Sequence, residues 1–320
     1  MSGHKKNLFN RLLACVMLAL ACALPFYAHA YTGVTIVMSV KTPANLEFVD
    51  QFSAELAKRK QVNLRVNVIT LPDAERLVIA ENSELVIALG VKALEAASKL
   101  KHSTPVLGVF TPLPTFNNVM EKSRRDLGNF SAIVMDQPFA RQMSLIKQVL
   151  PVAQRIGVLL GPTSSQYAEY LKEAGEKSGF NVLEEKVNQE GDLIPKLKKL
   201  LDSSDAILAI PDPAIYSRET AQPILLTSYR YQKLIFGYSQ SYVHAGAIAA
   251  VFSSSKQLAK QAAEIAFKSQ QAPNELPPPQ KPKYFSILLN YQVARSLNIP
   301  LMDEDEILKN MLESDVNEAM

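Results

Sequence analysis

Apolar, β-branched runs alternate with stretches of helical period along most of this chain. Val34-Thr35-Ile36-Val37-Met38 is the first such run, and with Ser39 and Val40 it predicts a buried strand. Helical periodicity follows from Ala44 to Lys60. The unit recurs, with strands predicted over Val62–Ile69, Leu85–Leu89 and Val106–Phe110 and a helix over Ala93–Leu100. A second set begins after the strand Phe130–Met135, with the helix Phe139–Val149, the strand Ile156–Leu160 and the helix Ser165–Gly179. It is completed by the strand Val182–Val187, the helix Leu193–Leu201 and the strand Ala206–Ile210. Continuous apolar strands separated by helices imply parallel sheets covered on both faces. Two such sets predict an α/β protein of two doubly wound parallel-sheet lobes joined by a hinge. The first lobe is expected over 31–135, completed by about 254–280, and the second over 136–253, completed by about 284–300.

The segment Ala272–Lys283 is rich in proline and reads as a connector, followed by a strand over Tyr284–Leu289 and a short helix over Tyr291–Leu297. Residues 301–320 read as an acidic tail, a terminal helix expected to fray.

At the amino terminus the pattern changes. Lys5, Lys6 and Arg11 precede an apolar run from Leu12 to Tyr27 that ends in Ala28-His29-Ala30, the pattern of a secretory signal peptide over residues 1–30. A spanning helix needs about 20 apolar residues, more than this run supplies. Cleavage after Ala30 predicts a periplasmic protein; lipid attachment at Cys15 or Cys22, each in a loose lipobox, is the alternative. Removal of the leader takes both cysteines, three of the 34 basic residues and none of the 31 acidic ones. The remainder is charge-balanced, which argues against a nucleic-acid partner, and no later run is long enough to span a bilayer. About 290 residues exceed the usual size of one core, in keeping with two lobes.

In doubly wound sheets ligands sit beyond the carboxyl ends of the strands. The segments expected at those mouths are Ser39–Pro43, Gly90–Lys92, Thr111–Pro114, Gly161–Ser165, Pro211–Tyr216 and Tyr238–Tyr242, with Ser39, Gly90, Val91, Thr111, Gly161, Thr163, Ser164, Ser165, Asp212, Tyr238 and Ser239 as candidate contacts. Gly161-Pro162-Thr163-Ser164-Ser165 offers amides and hydroxyls either to a ligand carboxylate or to simple N-capping. Tyr238, Tyr242 and, across the cleft, Phe110 either stack a flat ligand or pack between lobes. Arg141 and Gln142 either reach the cleft or form a salt link on a helix face. Beyond the leader only His102 and His244 remain, far apart, and no hydrolase elbow or zinc-protease motif is present, so no enzyme, cofactor or metal is expected.

Asp136-Gln137-Pro138, Arg141-Gln142, Leu150-Pro151 and Arg155-Ile156-Gly157-Val158-Leu159-Leu160-Gly161-Pro162 resemble the hinge and second-lobe opening of ABC-transporter substrate-binding proteins, the family that includes tryptophan- and tyrosine-binding lipoproteins. The resemblance continues through Asp205-Ala206-Ile207, Pro211-Asp212, His244-Ala245-Gly246-Ala247, Leu289-Asn290 and Ala294–Ile299. It implies the type I periplasmic-binding fold, with three strands crossing between lobes, and a small molecule captured for an ABC permease; a ligand sensor signalling to a membrane receptor is the alternative. It also implies that Gln137 faces the ligand and that Asp212 meets its ammonium group, although Asp212 before Pro213 equally reads as a helix cap. Where many members carry Gly-Thr-Pro-Ala, this chain has Gly90-Val91-Lys92-Ala93 and lacks the hydroxyl. The ligand class implied is an aromatic or apolar amino acid or a similar zwitterion.

Overall fold

A computed structural model of the chain describes residues 33–59, 65–72, 80–271 and 275–318. The expected leader and both cysteines lie outside these residues.

The first sheet has the order β2-β1-β3-β4-β5, all parallel, built from β1 (Gly33–Met38), β2 (Arg65–Thr70), β3 (Leu85–Leu89), β4 (Val106–Thr111) and β5 (Phe130–Val134). β1, β3 and β5 are buried throughout, as strands covered on both faces must be, whereas β2 at the edge is largely open to solvent. Helix α1 (Pro43–Ala57) starts where the Thr42 side chain accepts the Asn45 amide and Pro43 supplies a pre-set first-turn angle. Its Phe48 and Phe52 enter the core. α2 (Val91–Ala97) and α3 (Leu113–Ser123) cover the opposite face.

The second sheet has the order β11-β10-β9-β8-β6-β7, from β6 (Arg155–Leu160), β7 (Asn181–Lys186), β8 (Ala206–Leu208), β9 (Leu234–Gly237), β10 (Ala249–Phe252) and β11 (Ser286–Leu289). It is parallel except for β11, which runs antiparallel to β10 and departs from the all-parallel expectation. The cause is topological: the chain re-enters this lobe at the edge where β10 leaves it, so Ser286 pairs with Phe252 and the strand runs away from that edge. Helices α4 (Phe139–Val149), α5 (Ala168–Lys177), α6 (Leu193–Ser203), α7 (Arg218–Arg230), α8 (Gln240–Ala245) and α10 (Tyr291–Ser296) flank this sheet. α9 (Ser255–Gln271) instead returns to the first lobe, where Leu258, Ala262 and Ala266 pack with Phe48 and Phe52. The tail expected to fray forms α11 (Glu304–Glu318), which places Ile307 and Met311, spaced i and i+4, in the core of the second lobe.

Three segments therefore cross between the lobes: 135–138, 253–254 and 281–285. Polar side chains tie them together. Gln137 Nε2 donates to Ser253 Oγ (2.8 Å), which donates to the Tyr284 carbonyl (2.6 Å). Arg141, almost fully buried, donates to Gln137 Oε1 (3.2 Å) and to the Pro282 carbonyl (2.6 Å). The same guanidinium forms a two-pronged ion pair with Asp315 of α11, both contacts at 2.7 Å, and lies 4.4 Å over the Phe285 ring.

Candidate functional site

The carboxyl ends of both sheets face a continuous cleft along these crossings. Its innermost compartment, about 220 Å³, is lined by residues that follow β4, β5, β8 and β9: Pro112, Met135, Asp136, Gln137, Ile210, Pro211, Tyr238 and Ser239. Phe139 and Gln142 of α4 and Tyr167, in the turn before α5, complete the wall. Through Met135, Tyr238 and Ser239 it opens into an outer compartment of about 580 Å³ bounded by Phe110, Glu47 and the starts of α1, α8 and α9. On the other side Asp136, Gln137, Phe139 and Tyr167 are shared with a compartment of about 720 Å³ that includes Lys281. The two flanking compartments each fall within the usual size of small-molecule sites, roughly 300–1,000 Å³, and the innermost one is smaller.

The aromatic walls are fixed by packing. Phe110 sits at a bulge in β4, where the register with β5 shifts between Val109 and Thr111, and its φ of 58° lies in the left-handed region. That conformation is uncommon for a bulky residue and here it turns the ring toward Phe48, 5.6 Å away edge to face, at the cleft margin. Tyr238 stacks on Tyr242 (5.5 Å, 24°), and both meet Tyr216 edge to face. Burial raises the pKa of all three phenols, so they remain neutral donors at physiological pH. Phe139 and Tyr167 make a second edge-to-face pair at 5.5 Å.

Asp136 is the charged group of the inner compartment. Its Oδ2 accepts the Leu113 amide (2.7 Å) from the first lobe, and its Oδ1 accepts the Tyr167 hydroxyl (3.2 Å) from the second. Burial, and then the adjacent Asp136 carboxylate, push the Tyr167 pKa far up, which keeps the phenol a donor. Tyr167→Phe retains the ring and removes this bond; equilibrium denaturation is expected to show a loss of about 1 kcal/mol.

Of the residues anticipated as ligand contacts, Phe110, Gln137, Tyr238 and Ser239 line this cleft. Gln137 does so while its amide is spent on Ser253 and Arg141. A second group meets away from it. Asp212, only 2 % exposed, accepts the amides of Thr163 (3.0 Å) and Ser164 (2.8 Å) and the Ser164 hydroxyl (2.8 Å) on Oδ2, and the Ala214 amide (3.0 Å) on Oδ1. The amides offered to a ligand carboxylate are thus occupied by the protein's own carboxylate. Ser164 also accepts the Gly161 amide, and a Cβ on Gly161 would meet Asp212 Oδ2 at 2.7 Å, which accounts for glycine there. Ser165 is exposed, its hydroxyl directed at the Pro162 carbonyl. The remaining residues lie apart. Ser39 is half-buried after β1; Gly90, at φ 85°, and Val91 begin α2; Thr111 is fully buried with its hydroxyl toward the Val109 carbonyl.

Sequence reasoning did not single out Met135, Asp136, Phe139 and Tyr167 as contacts, and left Gln142 undecided. The available signal was position: Met135 and Asp136 directly follow β5, and Asp136 belongs to the Asp136-Gln137-Pro138 motif. Among the described residues no cluster of His, Cys, Asp and Glu is arranged to hold a metal ion, and no helix is long and apolar enough to cross a membrane.

Comparison with known proteins agrees with this architecture. The "ABC transporter substrate binding protein" family matches residues 53–314. No curated protein sequence matches the chain. Among solved structures, an ABC domain in complex with L-Trp from Streptococcus pneumonia is 18% identical, with a TM-score of 0.59 over 88% of this chain and 98% of that one. The ligand-free, open structure of a substrate-binding protein with adhesive properties from Clostridium difficile is 17% identical, with a TM-score of 0.68 over 85% and 96%. A conserved domain protein from Vibrio cholerae is 20% identical, with a TM-score of 0.57 over 87% and 98%. Identities this low express a shared fold, the type I periplasmic-binding architecture of two α/β lobes. The family match over most of the chain adds the class, and the chain belongs to the ABC transporter substrate-binding protein family.

Proposed function

We propose that the protein, exported by its leader, captures a small molecule with an apolar or aromatic body and a polar head, an amino acid in the first instance, and presents it to an ABC permease. The observation that carries this reading is the inner compartment of the cleft, walled by Phe139, Tyr167, Ile210, Pro211 and Tyr238 around very few polar groups. A cleft of this kind binds the body by burial and orients the head by its polar groups. The L-Trp held by the Streptococcus relative is in keeping with a ligand of this shape. Hinge closure about the three crossings buries the ligand, and the closed form is the one the permease receives.

Thermal unfolding of the purified protein against a panel of amino acids, purines, peptides and organic acids tests the reading. A ligand that binds only the folded state adds about 2.7 kcal/mol of stability at a hundredfold excess over its Kd. A clear rise in Tm with an apolar or aromatic amino acid is expected. A flat response across the whole panel would remove the capture role.

A further inference from the structure

Helix α3 begins without a side-chain cap of its own, since Pro112 stands at its N-cap. Asp136, two residues past β5, takes that place, with Oδ2 accepting the first-turn Leu113 amide at 2.7 Å. A carboxylate is favoured at a helix N-terminus, so this bond pins Asp136 to the first lobe. Its Oδ1 accepts the Tyr167 hydroxyl of the second lobe at 3.2 Å. Tyr167 is itself held in place. Its amide donates to the Ser164 carbonyl (2.9 Å), and Ser164 gives its own amide and hydroxyl to buried Asp212 (2.8 Å each). The Tyr167 ring packs edge to face on Phe139.

We propose that Asp136 and Tyr167 form an interlobe latch, which holds the ligand-free protein in the lobe arrangement described above. The latch acts on the hinge motion whatever the ligand. One end of the relay is fixed at the start of α3 and the other at the 165–167 turn, so a rotation that moves one lobe against the other breaks it. Other ties between the lobes lie within the crossings. Gln257, Gln261 and Glu264, spaced along one face of α9, hold the third crossing through the Phe285 carbonyl (2.9 Å), the Lys283 amide (2.8 Å) and the Tyr284 hydroxyl (2.5 Å). Those bonds sit where a hinge motion displaces atoms least, and they persist as the lobes turn. A hydrogen bond to a carboxylate is stronger than one between neutral groups, and the phenol stays a donor because burial and then the Asp136 charge raise its pKa. Lys281 of the third crossing closes the same corner. It lies 5.4 Å from the centre of the Phe139 ring; burial lowers its pKa and the Asp136 carboxylate opposes that shift. The Asp136 charge is thus countered within the protein.

Interlobe distance in the ligand-free protein tests the latch. Both cysteines precede residue 31, so the exported chain takes spin labels only at two introduced cysteines, Lys122→Cys on α3 and Glu176→Cys on α5, both exposed positions. Pulsed electron paramagnetic resonance should give one narrow distance for this labelled pair. Tyr167→Phe keeps the ring on Phe139 and deletes the hydroxyl; a second distance should appear, with the ratio of the parent distance to the new one falling about tenfold. Phe139→Leu removes the ring contact and leaves both hydrogen bonds, and should keep the parent distance. A Tyr167→Phe distribution that matches the parent's would overturn the latch. So would an equal change in Phe139→Leu, since packing and not the hydrogen bond would then hold the lobes. A parent pair that already divides evenly between two distances would overturn it as well. No bound probe is needed, so a protein that captures nothing from the panel above can still show the latch, and one that captures a ligand can lack it.

Discussion

Arg141→Met should lower the unfolding free energy by about 2–4 kcal/mol, read from denaturant-induced unfolding of the ligand-free protein. Removing one partner of a buried ion pair strands the other, and Asp315 would be left without its guanidinium, with the Pro282 carbonyl also unpaired. The figure sits toward the low end for buried pairs because the Asp315 side chain keeps 29% of its exposure, whereas that of Arg141 keeps 9%. Arg141→Lys should recover less than half of the loss. A lysine has one point of charge where the guanidinium serves Asp315 twice, donates to Gln137 and Pro282, and lies flat on Phe285. Asp315→Leu added to Arg141→Met should restore part of the stability by removing the stranded carboxylate. A single Arg141→Met substitution within about 0.5 kcal/mol of the parent would show that the network is not what holds the crossings together.

The Asp212→Ala variant is expected to be next in size, destabilised by about 2–4 kcal/mol, since two amides and a hydroxyl lose one shared buried acceptor. Asp212→Asn should lose less, because an amide oxygen can still accept from Thr163 and Ser164. Ligand affinity of the folded fraction should change by less than about threefold, as the carboxylate takes no part in the cleft lining. The opposite result, intact stability with lost binding, would return Asp212 to the ligand. This prediction separates the two meanings that Asp-Pro carries in a sequence. A carboxylate before a helix start looks the same whether it caps a turn or waits for an ammonium group; only its donors distinguish them.

The elements most legible in the sequence are those whose environment is uniform. Leu85–Leu89 and Phe139–Val149 form over the residues predicted, because a strand buried on both faces must be continuously apolar and an amphipathic helix must repeat at its own period. Less legible were α3 and α7. Pro114 and Pro223 resemble breaks, yet Pro114 occupies the first turn of α3, where the missing amide hydrogen is not needed, and α7 accommodates Pro223 behind a start capped by Ser217 and Thr220. β9 and β10 have four residues each, too few to establish a period.

At the site, Tyr238 and Ser239 could be anticipated because strand ends in this class of sheet face a ligand, a rule that depends on chain direction alone, and Phe110 because an aromatic ring suits a flat ligand. The roles of Asp136, Tyr167 and Gln142 could not. They lie on the second lobe and the strap that leads into it, and whether each carboxylate, phenol or amide is satisfied depends on partners distant in the chain: Arg141 finds Asp315 174 positions away, and Gln137 finds Ser253 116 away. The alternation of apolar strands and amphipathic helices by itself determined the class of fold, two α/β lobes, and the edge at which ligand should sit, because burial acts on local pattern. Only the tertiary structure decided which carboxylate is spent inside the protein and which faces the cleft, because hydrogen-bond satisfaction is a property of packed neighbours.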